Sequence, residues 1–211
     1  MFKFKLAKES VPFITTFLIL LLVSIIFNNV FFIILFVILL IFILFFFRDP
    51  ERIVLIDNNT FLSAADGKVV EITEVAINNQ KYHKISVFMS IFNVHINRAP
   101  YDGVVDEIIH IPGKFRFANR NLPIEDRERN VINIKSHSNR YYLKQIAGFI
   151  ARRTVFYPKI GGQVFQGQKI GMIKFSSRVE HFIPDLFELT IKNGENVKAG
   201  ITILAKKNLI D

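Results

Sequence analysis

Two segments gather the side chains that could do chemistry. The first, Phe88-Met89-Ser90-Ile91-Phe92-Asn93-Val94-His95-Ile96-Asn97-Arg98-Ala99-Pro100, sets a histidine between two asparagines and an arginine, directly after an apolar run. That is more polar than the end of a buried strand requires. Histidine exchanges protons near neutral pH, although a lone histidine is more often a hydrogen-bonded structural residue. The second, Gly171-Met172-Ile173-Lys174-Phe175-Ser176-Ser177-Arg178-Val179-Glu180-His181-Phe182-Ile183-Pro184, carries adjacent serines. A serine becomes a nucleophile only beside a base, and paired serines between strand-like runs otherwise read as a turn. His83, His95, His110, His137 and His181 form no H-x-x-x-H or H-E-x-x-H pair, and no carboxylate cluster has ligand spacing, so no metal is expected. Cysteine is absent, which excludes disulfides, thiol nucleophiles and cysteine-based metal sites. Phosphate-cradling glycine loops and the G-x-S-x-G elbow are missing too.

The elements that must position these residues are short. Lys68–Ile77, Tyr82–Met89, Gly103–Ile111, Asn130–Lys135, Tyr141–Ile146 and Leu186–Lys192 have strand composition, with turns between them. No long helical period follows residue 52, and Arg120–Asn130, polar through Asp126–Arg129, reads as a surface loop. Two internal echoes suggest symmetry. Asp66-Gly67-Lys68-Val69 resembles Asp102-Gly103-Val104-Val105, and Val164-x-x-Gly167-x-x-Ile170 resembles Val197-x-x-Gly200-x-x-Ile203. The second phrase is similar to one in lipoyl-type sandwiches, where glycine permits a tight turn. The expected fold is mainly β, a sandwich or barrel-sandwich-like domain over 53–211.

Residues 1–52 differ in kind. Twelve of the 23 phenylalanines lie in the first 47 residues. Two apolar segments, 11–27 and 30–47, are separated by Asn28-Asn29, and each would be about 25–27 Å long as a helix. A signal peptide fits poorly, because Phe45-Phe46-Phe47-Arg48 lacks the small residues of a cleavage site. Lys3, Lys5 and Lys8 at one end and Arg48 and Arg52 at the other place both ends in the cytoplasm. The expectation is a helical membrane hairpin; a single interfacial or re-entrant anchor is the alternative. Pro50 ends the second segment by disfavouring helix at Asp49. The remainder, 53–211, holds 22 Lys plus Arg and 15 Asp plus Glu, a net of +7. Such a surface attracts anionic headgroups. No RNA-binding aromatic signature or helix-turn-helix pattern accompanies it, so nucleic acid is not an expected partner.

Taken together, four phrases resemble phosphatidylserine decarboxylase proenzymes of the short bacterial branch. They are Phe46-Phe47-Arg48-Asp49-Pro50-Glu51-Arg52, Ala65-Asp66-Gly67, Phe92-Asn93-Val94-His95-x-Asn97-Arg98-x-Pro100-x-x-Gly103 and Gly171-x-Ile173-x-Phe175-x-Ser177-Arg178-Val179. They occur in the family's order and span most of the chain.

The resemblance implies a self-processing, pyruvoyl-dependent lyase of phospholipid biosynthesis. Ser177 maps to the pyruvoyl precursor, with cleavage between Ser176 and Ser177 giving a β chain of 1–176 and an α chain of 177–211. Its hydroxyl would attack the Ser176 carbonyl; elimination from the ester and loss of ammonia would leave the pyruvoyl group. That group replaces pyridoxal phosphate, forming a Schiff base with the serine headgroup of phosphatidylserine and yielding phosphatidylethanolamine. His95, backed by Asp66, would serve as base and proton donor. In longer relatives two histidines stand three residues apart, and here Arg98 occupies the second place. Arg98 and Arg178 are candidates for the lipid phosphate, and equally for structural ion pairs. Ser176 departs from the family's glycine, whose missing Cβ eases the strained backbone of an acyl shift; slower cleavage is expected. The implied partners are phosphatidylserine, membrane phospholipids and the two chains as a heterodimer, with a higher oligomer compatible. The implied location is the inner membrane of a bacterial cell, with the catalytic domain on the cytoplasmic side.

Two other functions fit parts of the sequence. A catalytically inactive, membrane-anchored β-sandwich adaptor would remain uncleaved. A lipoyl- or biotin-type carrier would need a modifiable lysine at a hairpin tip, and Lys192 lacks the flanking residues for that role.

Overall fold

The computed structural model describes residues 5–113, 127–136, 139–148, 154–174 and 177–208. The chain divides into two compact units, Met1–Glu51 and Arg52–Asp211.

In the first unit a short 3-10 turn, Lys8–Ser10, leads into helix α1 (Val11–Ile26). Helix α2 (Val30–Phe46) follows a three-residue turn. Asn28 takes a positive φ of 52°, and Asn29 caps α2 by accepting a hydrogen bond from the Phe32 amide. The helices return on one another, with Phe13 against Phe47 and Phe17 against Phe36 at ring separations of 5.3 and 6.4 Å. The two ends are tied: Ala7 N donates to Phe47 O at 2.9 Å and Asp49 N to Lys5 O at 2.8 Å. Lys8–Ile26, 19 residues, is long and apolar enough to cross a membrane; α2, at 17 residues, is a shorter apolar helix.

Among the described residues the second unit contains fourteen strands. They are β1 (Thr60–Leu62), β2 (Gly67–Ile77), β3 (Gln80–Met89), β4 (Ile96–Arg98) and β5 (Gly103–Ile111). Next come β6 (Arg129–Ser136), β7 (Asn139–Ala147), β8 (Thr154–Phe156), β9 (Gln163–Val164) and β10 (Lys169–Ile173). Last are β11 (Ser177–Pro184), β12 (Phe187–Leu189), β13 (Asn196–Val197) and β14 (Ile203–Lys207). Eight of them form a curled half-barrel in the order β13-β2-β3-β11-β7-β6-β5-β9. Two three-stranded sheets, β1-β14-β12 and β4-β10-β8, complete the unit. Among the described residues every strand pairing is antiparallel. The mainly β expectation is met. The β2–β3 hairpin turns on Asn78-Asn79, both at positive φ, as a two-residue connection between right-twisted strands requires.

Gly103–Ile111 matches its predicted strand end to end. The last predicted strand, Leu186–Lys192, is shorter than expected, at Phe187–Leu189. The predicted loop 120–130 lies outside the described residues up to 126, and β6 begins at Arg129. The main surprise is β11, which occupies the middle of the large sheet where the paired serines suggested a turn.

The sequence echoes are structural. Asp66-Gly67 opens β2 and Asp102-Gly103 opens β5; Val197 stands opposite Gly67, and Val164 opposite Gly103. Asp66 accepts from the Ala199 amide at 2.8 Å and Asp102 from the Gln166 amide at 2.5 Å. The halves also exchange reciprocal bonds, Leu62 N to Pro100 O at 3.0 Å and Arg98 N to Ala64 O at 2.9 Å. These pairs describe a near-twofold repeat in which β1 corresponds to β4 and β14 to β10. Gly167 and Gly200, at φ of 78° and 70°, make the two matching turns, and a Cβ on Gly200 would lie 3.6 Å from the Gly167 Cα.

The core repeats less faithfully than the backbone. Phe61 on β1 packs against Tyr101, Tyr141 and Phe187 at ring separations of 5.3–6.1 Å. At the corresponding position on β4 stands Asn97. One half of the unit is therefore aromatic where the other is polar.

Candidate active site

Ser177 is the first residue of β11, buried, with Met89 of β3 on one side and Ala147 of β7 on the other. Strand alternation puts it on the same face as Val179, His181 and Ile183, toward the core. Its hydroxyl donates to the Met89 Sδ at 3.2 Å. A thioether is a weak acceptor, so this contact holds the hydroxyl in place without strongly competing for it. Ser176 lies outside the described residues.

His95 immediately precedes β4 and is fully buried. Its Nδ1 sits 2.9 Å from the Asn93 carbonyl oxygen, a contact only a protonated Nδ1 can make, so Nε2 is the basic nitrogen in the neutral ring. The His95 carbonyl accepts from Ile173 N at 3.4 Å, at the end of β10 that leads toward Ser177.

A chain of buried amides joins β4 to the serine. The Asn97 side-chain nitrogen reaches the same Met89 sulfur at 3.9 Å, and its oxygen accepts from Gln145 Nε2 at 2.9 Å. Gln145 in turn accepts from Asn130 Nδ2 at 3.2 Å, and Asn130 Oδ1 meets His110 Nδ1 at 2.8 Å. Met89 thus links Ser177 to the strand that His95 begins. Neither Met89 nor Gln145 stood out in the sequence as a site residue; only their burial between polar partners marks them.

Asp66 is placed differently. Both of its oxygens are held by Arg52, at 2.6 and 2.7 Å, and one also takes the Ala199 amide. Arg52 Nη1 adds a bond of 2.6 Å to the Ala199 carbonyl. This buried fork-to-fork pair fixes the start of the second unit on the Gly200 turn. Arg98 is buried, donates to the Gly167 carbonyl at 2.8 Å, and lays its stem against Gly200. Arg178 faces away from Ser177, 3.6 Å from Glu71. There Glu71 also takes Lys84 at 2.9 Å and the Ser86 hydroxyl, and hydrogen bonding from Lys84 is the main cause holding its carboxyl below the ordinary value.

His181 follows the paired serines by four residues and lies on β11. It is fully buried, accepts from Ala64 N at 2.8 Å through Nε2 and donates from Nδ1 to Ile85 O at 3.2 Å. Burial pushes its pKa down to about 4, so it is neutral and ties the segment leading to Asp66 onto β11. Among the described residues no group of three or more His, Asp or Glu could hold a metal ion.

A buried serine heading a central strand, joined through one sulfur to the strand begun by a buried histidine, makes a water-excluded site suited to chemistry on the chain itself. Comparison with known proteins identifies the class. Residues 39–205 match the family model described as phosphatidylserine decarboxylase. A phosphatidylserine decarboxylase proenzyme of Solidesulfovibrio magneticus is 38% identical over 205 residues, covering 96% of each chain. One from Syntrophus aciditrophicus is 38% identical over 200 residues, covering 92% of this chain and 94% of its own, and one from Pelagibacter ubique is 42% identical over 168 residues, covering 76% and 78%. The chain belongs to the phosphatidylserine decarboxylase family.

Proposed function

We infer that this chain is a phosphatidylserine decarboxylase made as a proenzyme. Ser177 is its nucleophile, and cleavage before Ser177 converts it to a β chain of 1–176 and an α chain of 177–211. The observation that carries the reading is the family match together with Ser177, which stands buried at the head of β11 with its hydroxyl on a weak acceptor.

In this reading His95 accepts the Ser177 proton at Nε2 while the Asn93 carbonyl holds the ring through Nδ1. The Ser177 oxygen adds to the Ser176 carbonyl, and the peptide nitrogen leaves protonated, giving an ester. Removal of the Ser177 Cα proton expels the Ser176 carboxylate, and hydrolysis of the resulting enamine's imine form releases ammonia and leaves the pyruvoyl group. The buried flank formed by Met89 and Ala147 suits a small planar group at this position. Once formed, that group supplies a carbonyl able to draw off the electron pair left by loss of carbon dioxide. His95 is then the proton donor to the substrate carbon. Asp66 supports the site through Arg52 and the Gly200 turn, and the Asn93 carbonyl takes the orienting place that Asp66 was expected to hold. Arg178 and Arg98 remain the candidate phosphate-binding cations, with Arg178 exchanging Glu71 for the lipid. The chain acts at the cytoplasmic face of the inner membrane, anchored by its N-terminal helices, with the two product chains staying together.

Intact mass measurement tests this. The wild-type chain should yield a fragment of 177–211 lighter by one ammonia and shifted by borohydride or hydrazine, which trap carbonyls; Ser177→Ala should remain one chain. A wild-type chain that stays whole under conditions that process Ser176→Gly would instead favour the inactive adaptor. Asp66→Asn with normal cleavage would agree with a supporting role, whereas a block in cleavage with the fold intact would restore Asp66 to direct partnership with His95.

A further inference from the structure

The first stretch of the second unit is a strap, residues 52–57, pinned at both ends to the two glycine turns. Arg52 bonds the Ala199 carbonyl at 2.6 Å, and the Asp57 amide donates to Gln166 Oε1 at 2.8 Å. Between these pins Val54 is wedged over both turns: its methyl groups lie 2.5 Å from where a Cβ on Gly167 would be and 3.5 Å from one on Gly200. The neighbours of Val54 point the other way. Ile53, Leu55 and Ile56 are 90%, 82% and 71% exposed. Each of the two turns adds another apolar side chain, Phe165 at 58% and Ile201 at 48% exposed. Five large apolar groups thus crowd around one rigid contact, whereas isolated surface apolar residues are ordinary.

We propose that this crest is a membrane-docking surface of the β unit, separate from the helical anchor, and that it rests in the headgroup–acyl boundary of the bilayer. The proposal relies on the reading above that the substrate is a bilayer lipid. Three observations single out lipid as the occupant. Ile53 follows the last residue of the apolar helix α2, Phe46, by only seven positions. The domain from 53 onward carries a net +7, and exposed Lys198 stands on the same turn as Ile201, the combination of apolar body and basic rim that interfacial segments use. Beneath the crest, Arg98 binds the Gly167 carbonyl and touches Gly200 from the end of β4. His95 lies three residues earlier on that chain, about 10 Å away at strand spacing. A bilayer against the crest would therefore meet the strand that directly follows the proposed proton donor.

The chain has no tryptophan, so one substitution supplies a unique optical probe. Leu55→Trp and Phe165→Trp, each in the full chain reconstituted into vesicles of phosphatidylcholine and phosphatidylglycerol with brominated acyl chains, should lose most of their fluorescence relative to unbrominated vesicles. Ile109→Trp, an exposed control on β5, should not. Equal quenching at 55 and 109, or none at 55, overturns the proposal. So does an emission shift at 55 that depends on protein concentration in detergent without bromine quenching in vesicles, since a second copy of the chain would then cover the crest. The functional arm is the triple variant Ile53→Ser, Leu55→Ser, Ile56→Ser. It should keep self-cleavage and turnover of monomeric short-chain phosphatidylserine yet lose several-fold on vesicles; equal activity on both would refute a role in lipid access. Quenching needs no turnover, so failure of the decarboxylase reading and failure of docking are distinguishable.

Discussion

The neutral, buried His181 makes stability depend on acid in a calculable way. Folding holds the imidazole near a pKa of about 4 against an ordinary value of 6.5, so the unfolded chain binds the extra proton between those values. Its contribution is whole above pH 6.5 and is lost as pH falls toward 4. The linkage relation gives a loss of about 0.2 kcal/mol at pH 7, about 2 kcal/mol at pH 5 and a limit of about 3.4 kcal/mol well below pH 4. The assay is denaturant unfolding of the full chain in detergent, on a Ser177→Ala background so that one chain unfolds. His181→Gln retains an acceptor for Ala64 N and a donor for Ile85 O but cannot titrate. Carboxylates titrate in both proteins and cancel in the difference. The histidine form should therefore lose about 2 kcal/mol more than the glutamine form between pH 7 and pH 5. Equal losses would mean that the ring is solvated or already charged, and the argument from burial would fail.

Other outcomes follow from single contacts. Arg52→Leu strands the Asp66 carboxylate in a buried place, and breaking such a pair costs about 3–5 kcal/mol; a loss below about 1 kcal/mol in unfolding free energy from denaturant titration would class the pair as a screened surface bridge. Gln145→Leu takes a partner from both Asn97 and Asn130, at about 1–3 kcal/mol for each buried group left unsatisfied; an unchanged midpoint would show that the amides find other partners. Ser176→Gly should speed the proposed cleavage, since glycine adopts the backbone of an acyl shift more readily than serine, and a gain of about 1 kcal/mol corresponds to roughly fivefold in rate. A time course of fragment appearance on a gel checks it, and an unchanged or slower rate would remove Ser176 as the brake.

The strands with clean alternation or long β-branched runs were legible from the chain, as Gly103–Ile111 shows, and so was the repeat, because its turns need glycine at Gly167 and Gly200. The central strand was not. In Ser177–Pro184 one face pairs Arg178 with Glu71 and Glu180 with Lys144, while the core face holds His181 with two backbone partners. Polar residues therefore occur on both faces, and the alternation that announces a strand is masked. His95 and Ser177 stood out through motif order. The partners of Asp66 and Ser177 did not: Arg52 is fourteen residues from Asp66, Met89 is eighty-eight from Ser177, and a methionine ending an apolar strand looks like ordinary core.

The position of Ser177 at the head of β11 bears on what becomes of a severed chain. A cut there frees the end of a stave that stands in the middle of the barrel wall, bonded along its length to β3 and, over its first six residues, to β7. Downstream, β13 is stitched to β2 and β14 to β1. The short fragment is woven through the long one at three places, so the two cannot part unless the wall itself is dismantled. Cleavage as proposed would therefore be a one-way event, because the wall that holds the two fragments together is paired on both sides of β11.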